Sequence, residues 1–390
     1  MTSTATHSTT AADAATVADP AADIRHVSHP HGWARAEVAA DPSWAVRLTD
    51  AEITDFEAGL ASAQVTGRSL FELSRRDFAF GPAALRRLRA SVEETQHGRG
   101  FQLMRGFPVQ RWSVDEARLM FWGIGLHLGV PRPQGKASQY MSDVRDAGGT
   151  YRSSAGRGYN TRSALDFHAD GADLVGLMCL RTARSGGESM ISSSIAAHNA
   201  MLAERPDLVA ELYRPLTFSR QAENAPEEPP YYLAPVFGTR DGQFACRHIR
   251  NHVRSAQATF PEVPRLTDLQ TEALDYFDEV LKRPELCFRM DFEPGDVQLI
   301  NNHVVLHSRT DYEDHDEPER KRHLLRLWIA SPDAIALPEA WSLAYKDTAA
   351  QAVRGGFRGI GITPEIESFE RRLAQEHHMD FRIYADREKA

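Results

Sequence analysis

The sequence predicts a mainly β protein with flanking helices, an α+β jelly roll made of two facing sheets. Two observations predict it. Short apolar segments of strand length, bounded by Gly, Pro, Asn and Asp, recur between residues 100 and 332. The few strongly periodic helical segments do not alternate with them one for one, so a parallel βαβ fold does not fit. A chain of 390 residues, 42% of them apolar, can bury a sizeable core, and one large β enzyme can use most of it.

The elements follow in chain order. Residues 1–28, rich in Ala, Thr and Asp, read as a disordered tail, and 29–390 as a single domain with a catalytic core at about 100–332. Residues 32–98 mix short helical patterns with connectors. Gly100 to Val109 reads as a short strand and a turn. Ser113 and Glu116 make a capping box for a helix over about 114–127 that ends at Gly129. Residues 134–163 carry Gly, Ser, Arg and Tyr without periodicity, which reads as an active-site lid. Its candidates for gripping a zwitterion or acid are Tyr140, Asp143, Arg157, Tyr159, Asn160 and Arg162.

LDFHADGADLVGLMCLRTA then reads as strand, turn, strand; GGESMISSS as a turn feeding a strand; IAAHNAMLAERP as a short helix stopped by Pro206. YYLAPVFGTRDGQFACRHI reads as a hairpin turning at Asp241-Gly242. Thr267 and Gln270 cap a helix with an apolar face that includes Leu274 and Phe277. CFRMDFEPGDVQLINNHVVLHSRT reads as strand, type II turn at Pro294-Gly295, strand. RHLLRLWIA is a final strand, and ITPEIESFERRLAQEHHMD a peripheral helix.

Composition excludes several function classes. A net charge of −9 argues against a nucleic-acid partner, which needs a basic face. Three scattered cysteines without a CxxC pair suggest neither a disulfide framework nor a zinc finger, but reduced thiols in a cytoplasmic protein. No apolar run approaches the ~18 residues of a membrane span, and the N-terminus lacks the pattern of a targeting peptide. A small-molecule partner is expected, and a homo-oligomer is compatible with the sequence.

The chemistry begins at His168-Ala169-Asp170. On a strand, residues two apart share a face, so a His and a carboxylate can grip one metal ion. Two imidazoles and one carboxylate on one face of an octahedron are the requirement of non-haem Fe(II) oxygenases. Composition alone supplies roughly two His-x-acid pairs in such a chain, and there are three. His315/Glu317 sits in a charged loop and His378/Asp380 on an expected helix, where i and i+2 diverge. The third ligand is either His303 or His307, four apart and on one face if the strand is unbroken. A ketoacid co-substrate would need a buried cation for its far carboxylate, and Arg suits that by its planar fork. Arg326 lies inside an apolar strand pattern; Arg322 lies in the charged run EDHDEPERKRH and reads as solvated.

These segments resemble the taurine dioxygenase (TauD/TfdA-like) family of Fe(II)/2-oxoglutarate-dependent dioxygenases. FHADGADLVGLMCLRTARSGGESMISSSIAAHNAML, EPGDVQLINNHVVLHSRT and RHLLRLWIA carry the resemblance, with FQLMRGFPV and GIGLHLGVPRPQ in support. It implies a double-stranded β-helix with iron held by His168, Asp170 and His307. It implies 2-oxoglutarate contacts from Arg326 and from Ser189, in the Gly186-Gly187-Glu188-Ser189 turn. Asp170 is present where related halogenases have a small residue, so oxidation without halide is implied. The implied reaction consumes O2, releases succinate and CO2, and hydroxylates a small polar substrate such as an amino acid or related carboxylic acid. Rival readings are desaturation, epoxidation or cyclisation by the same cofactors, a non-catalytic jelly-roll binding protein, and a zinc hydrolase.

Overall fold

The computed structural model describes residues 24–135, 137–149, 151, 158–357 and 361–384. Most of the expected tail and part of the expected lid, Arg157 included, lie outside the described residues.

Two sheets face one another across the middle of the protein. The larger runs Ala45–Arg47, Phe101–Arg105, Val297–Asn301, Leu174–Arg181, His323–Ala330 and Val130–Arg132, with Met141–Val144 also paired to His323–Ala330. The first pair is parallel and the others antiparallel. The smaller sheet has Ser189–Ser193 between Phe288–Met290 and Val305–Arg309. The expected double-stranded β-helix is the observed fold class.

Alternation fixes which side chains look inward. On His323–Ala330, Leu325, Leu327 and Ile329 join a core with the helices Asp50–Gln64, Pro82–Gln96, Val114–Leu128 and Pro364–Glu376. Leu324, Arg326 and Trp328 take the opposite face and line an internal cavity. A strand covered on both faces reads as apolar throughout, which is why Arg326 stands out in it. The helices Ser194–Glu204, Pro206–Leu212 and Asp268–Val280 pack in the second core, behind the smaller sheet.

Several expected elements stand as read. The helix Val114–Leu128 starts on a Ser113/Glu116 capping box, and Asp268–Val280 on a Thr267/Gln270 box. Asp241 and Gly242 turn the hairpin Phe237–Arg240/Gln243–Cys246 with positive φ at both residues. Pro206 ends one helix and occupies the first turn of the next.

Others differ. The segment before Asp170 is no strand; His168 makes a single bridge on each side. The Pro294-Gly295 turn does not close a hairpin: Phe288–Met290 and Val297–Asn301 belong to different sheets. Gly295 has φ 92°, and a Cβ there would lie 2.1 Å from the Phe107 carbonyl oxygen, so the crossing needs glycine. The chain crosses back at residues 302–304, so His303 and His307 do not share an unbroken strand. The C-terminal helix is not peripheral. Its Glu370 is fully buried, paired with Arg132 and accepting from the Tyr140 and Tyr384 hydroxyls.

Candidate metal centre and its cavity

His307 sits mid-strand in Val305–Arg309, and the backbone of His168 pairs with it on both sides, N–H to carbonyl, at 3.0 and 3.1 Å. The two imidazoles are thereby held 4.4 Å apart. Asp170 follows on a turn clamped by Asn302. The Asn302 side-chain oxygen accepts from the Asp170 N–H at 3.2 Å, and its amide donates to the Ala172 carbonyl at 3.0 Å. Ligand atoms of His168, Asp170 and His307 all lie within 4.8 Å of one another. Two imidazoles and a carboxylate at that spacing suit one divalent iron ion.

Tautomer and charge support that fit. His168 Nδ1 lies 2.9 Å from the Asp166 carbonyl, so it donates there and leaves Nε2 as the free lone pair. Burial, then the neighbouring His307, pulls His168 down to about 4, so it is neutral near pH 7. Burial opposes ionisation of Asp170, but the Arg326 guanidinium and His307 outweigh it and hold the carboxyl far below its ordinary value. His303 is elsewhere. It is buried with Nε2 2.8 Å from Asp173, which also accepts from Arg354 at 2.7 Å.

Four arginines line the cavity, and their places differ. Arg326 Nη1 lies 3.1 and 3.2 Å from the two Asp170 oxygens, and Nε donates to Gln134 at 2.8 Å. It therefore sits at the metal end. Arg322, expected to be solvated, is 4% exposed. It precedes the strand His323–Ala330, whose register shifts between His323 and Leu324, and lines the same cavity as Arg326. It stacks over Tyr312 at 5.0 Å, as Arg309 does at 4.7 Å. The Gly186-Gly187 turn wraps it: Gly187 has φ 78°, and a Cβ there would lie 3.2 Å from Arg322 Nε. Ser189, buried, is the cross-strand partner of Arg309. Burial, then the charge of Arg322, lowers Arg309 to about 10; burial also lowers Arg322. Among the described residues neither has a carboxylate partner within salt-bridge distance.

Among the described residues of the expected lid, Val144, Tyr151, Gly158 and Tyr159 line the cavity. The Tyr159 ring is 5.4 Å from the Arg326 guanidinium. Tyr140 faces Glu370 instead, Asp143 pairs with His323 and Arg118, and Arg162 is exposed. The carbonyl of Asn160 takes the Ala147 and Gly149 N–H groups. Gln134 and Asn302 hold site residues, and Arg247 lines the cavity, without any motif that marks them.

A family model described as taurine catabolism dioxygenase TauD, TfdA family matches residues 67–328. The chain belongs to this family. It is accordingly an iron- and 2-oxoglutarate-dependent dioxygenase, an oxidoreductase. FR-33289 synthase of Streptomyces rubellomurinus is 33% identical over 318 residues, covering 80% of this chain and 92% of that one. Taurine hydroxylase-like protein SAT17 of Stachybotrys chartarum is 27% identical over 322 residues, 78% of this chain and 79% of its own. Among solved structures, an asparagine oxygenase with Fe(II), 2S,3S-3-hydroxyasparagine and succinate superposes with TM-score 0.58 at 18% identity, covering 74% of this chain and 93% of that one. The non-heme iron oxygenase OrfP with Fe and alpha-ketoglutaric acid superposes with TM-score 0.55 at 16% identity, covering 74% and 94%. Among the described residues of the dioxygenase, no helix is long and apolar enough to cross a membrane.

Proposed function

We propose that this dioxygenase hydroxylates a small amino-acid-like acid, with Fe(II) held by His168, Asp170 and His307. The observation that carries the reading is the convergence of those three side chains at one end of a cavity that has a buried, uncompensated cation at the other. Bound iron, with 2-oxoglutarate and O2, supplies the oxidising chemistry, and succinate and CO2 leave. The protein's own work is ligand geometry, orientation and exclusion of water. Asp166 and Asn302 orient His168 and Asp170.

The family resemblance implies Arg326 for the far carboxylate of 2-oxoglutarate. The geometry favours Arg322. Arg326 already answers the Asp170 carboxylate, whereas the Arg322 Nη1 lacks any hydrogen-bond partner. A desolvated guanidinium without an anion is costly, and a ketoacid carboxylate removes that cost. Arg309 and the Ser189 hydroxyl complete this end, while Arg326 steers the metal-proximal groups. The amino-acid class is supported by neighbours solved in complex with a hydroxyasparagine and a hydroxyarginine. Buried free Cys179, Cys246 and Cys287 suit a reducing compartment, the cytoplasm.

Two measurements test this. Anaerobic Fe(II) plus 2-oxoglutarate should give a visible charge-transfer band. Small amino acids and organic acids should then be screened for substrate-stimulated succinate release, with product mass recorded. Hydroxylation predicts gain of one oxygen; loss of two hydrogens means desaturation or ring closure. Failure of any acid to stimulate succinate release, despite the band, rejects the substrate class.

A further inference from the structure

The cavity contains a cation that neither the metal centre nor 2-oxoglutarate uses. Arg247 follows the strand Gln243–Cys246 directly. Its position relative to the metal is fixed by backbone: the next residue's carbonyl accepts from Ala169 N–H at 2.8 Å, and Ile249 bridges His168. Arg247 is buried, at 4% exposure, and is one of the residues that line the cavity. It sits in an aromatic box, 5.0 Å from Phe218, 5.1 Å from Tyr232 and 5.8 Å from Tyr345.

Ring faces stabilise a cation but do not neutralise it. Nε and Nη1 of Arg247 are buried with no acceptor in reach, and its side-chain hydrogen-bonding neighbour, the Tyr232 hydroxyl, is uncharged. Among the described residues no carboxylate forms an ion pair with it. Asp173, which shares the neighbour Tyr345 with Arg247, already takes bonds from His303, Arg354 and the Ser331 N–H. A buried guanidinium left this way calls for an anion that arrives from outside.

Charge in the cavity points the same way. Arg247, Arg309, Arg322 and Arg326 line it against one carboxylate, Asp170. Fe(II) and doubly ionised 2-oxoglutarate cancel each other, so the loaded site stays strongly positive.

We infer that Arg247 is the substrate anchor, taking an oxyanion of the substrate (carboxylate, sulfonate or phosphonate) on the wall next to the first metal ligand. This rests on the dioxygenase reading and adds to it the residue that holds the acid and the side from which it is held. The aromatic box keeps the guanidinium in one rotamer, and the backbone ties at residues 248 and 249 fix its distance from the metal ligands. Arg247 therefore sets which carbon of the acid faces the iron. Asn251 and His252, in the first turn of the helix Arg250–Thr259, line the same cavity.

The test uses full-length protein loaded anaerobically with Fe(II) and 2-oxoglutarate. Calorimetry follows binding of acetate, methanesulfonate, methylphosphonate and, as a cation of similar size, methylammonium. At least one anion should bind and methylammonium should not; the ranking of the three anions identifies the acid group. Arg247→Gln should weaken that anion at least about tenfold, and Arg247→Lys should restore part of it. Thermal unfolding and the Fe(II)–2-oxoglutarate band should be unchanged in Arg247→Lys, which keeps the test valid if Arg247→Gln does not fold. Anion binding that is equal in wild type and both variants, or absent in the loaded wild type, overturns the inference. Failure of the band in wild type instead rejects the dioxygenase reading, and the anion titration can still be run on metal-free protein.

Discussion

Two short stretches, residues 168–173 and 303–307, supply two buried His/Asp clusters with opposite fates. In one, Asp173 spends both oxygens inside the protein. Oδ1 accepts from His303 at 2.8 Å and Arg354 at 2.7 Å, and Oδ2 from the Ser331 N–H at 3.1 Å. All three side chains are at most 2% exposed. In the other, Asp170 has one guanidinium beside it, and the nearest imidazole, His307 Nε2, stands off at 3.6 Å. That spacing is too long for a hydrogen bond and right for two ligands of one ion. A closed cluster is a strut. An open one, aimed into a cavity, is a site. The residue types are the same; what differs is whether internal donors have consumed the carboxylate.

The sharpest way to break this comparison is to remove each carboxylate. Asp170→Ala should reduce turnover to background and abolish the anaerobic Fe(II)–2-oxoglutarate band, with a melting temperature close to wild type. An intact band would show that the ion sits elsewhere. Asp173→Ala should do the reverse. It strands Arg354 and His303 in the core, so it should cost about 3–5 kcal/mol in denaturant unfolding, while the fraction that remains folded still binds iron. Loss of iron from folded Asp173→Ala protein would mean that the two clusters act as one unit.

A smaller effect separates the two ends of the cavity. Arg322→Met should raise the KM for 2-oxoglutarate at least about tenfold, roughly 1.4 kcal/mol. Arg326→Met should leave that KM within about threefold and lower kcat instead, because it frees Asp170. The opposite pattern would return the far carboxylate to Arg326, where the sequence motif put it.

How much of this was legible follows from the same contrast. The capping boxes at Ser113 and Thr267 and the Asp241-Gly242 turn are local, and the structure has them where the sequence places them. The His168/Asp170 pair was legible as a motif, although it rides on a bridge and an Asn302 clamp rather than on a strand. The choice between His303 and His307 was not legible from spacing. It depends on the chain changing sheets at residues 302–304, which places one histidine beside Asp173 and the other beside Asp170. Arg322 was misread because its neighbours in sequence are charged. Its neighbours in space are Tyr312 and a glycine turn from another part of the chain. The C-terminal helix, expected to be peripheral, differs for the same reason: its polar-looking sequence buries Glu370 against Arg132 and two tyrosines.

A third buried carboxylate extends the contrast to a half-satisfied case. Asp296 Oδ2 accepts from the Glu293 N–H at 2.9 Å, with Arg105 at 3.7 Å, but Oδ1 has no partner. Burial raises its pKa to about 6, against the opposing pull of the Glu293 N–H and Arg105. An acid raised above its unfolded value binds protons preferentially in the folded state. Its ionisation therefore costs stability progressively as pH rises from about 4 through 6. Asp296→Asn keeps the acceptor for Glu293 and removes the charge. It should match wild type below about pH 4 and exceed it above pH 6 by about 1 kcal/mol, the roughly 3 kcal/mol of a two-unit shift being reduced by solvent screening, the smallest effect of the series. Denaturant unfolding of both proteins from pH 4 to 8 measures it. Parallel curves would mean that Arg105 satisfies this carboxylate as fully as Arg354 satisfies Asp173.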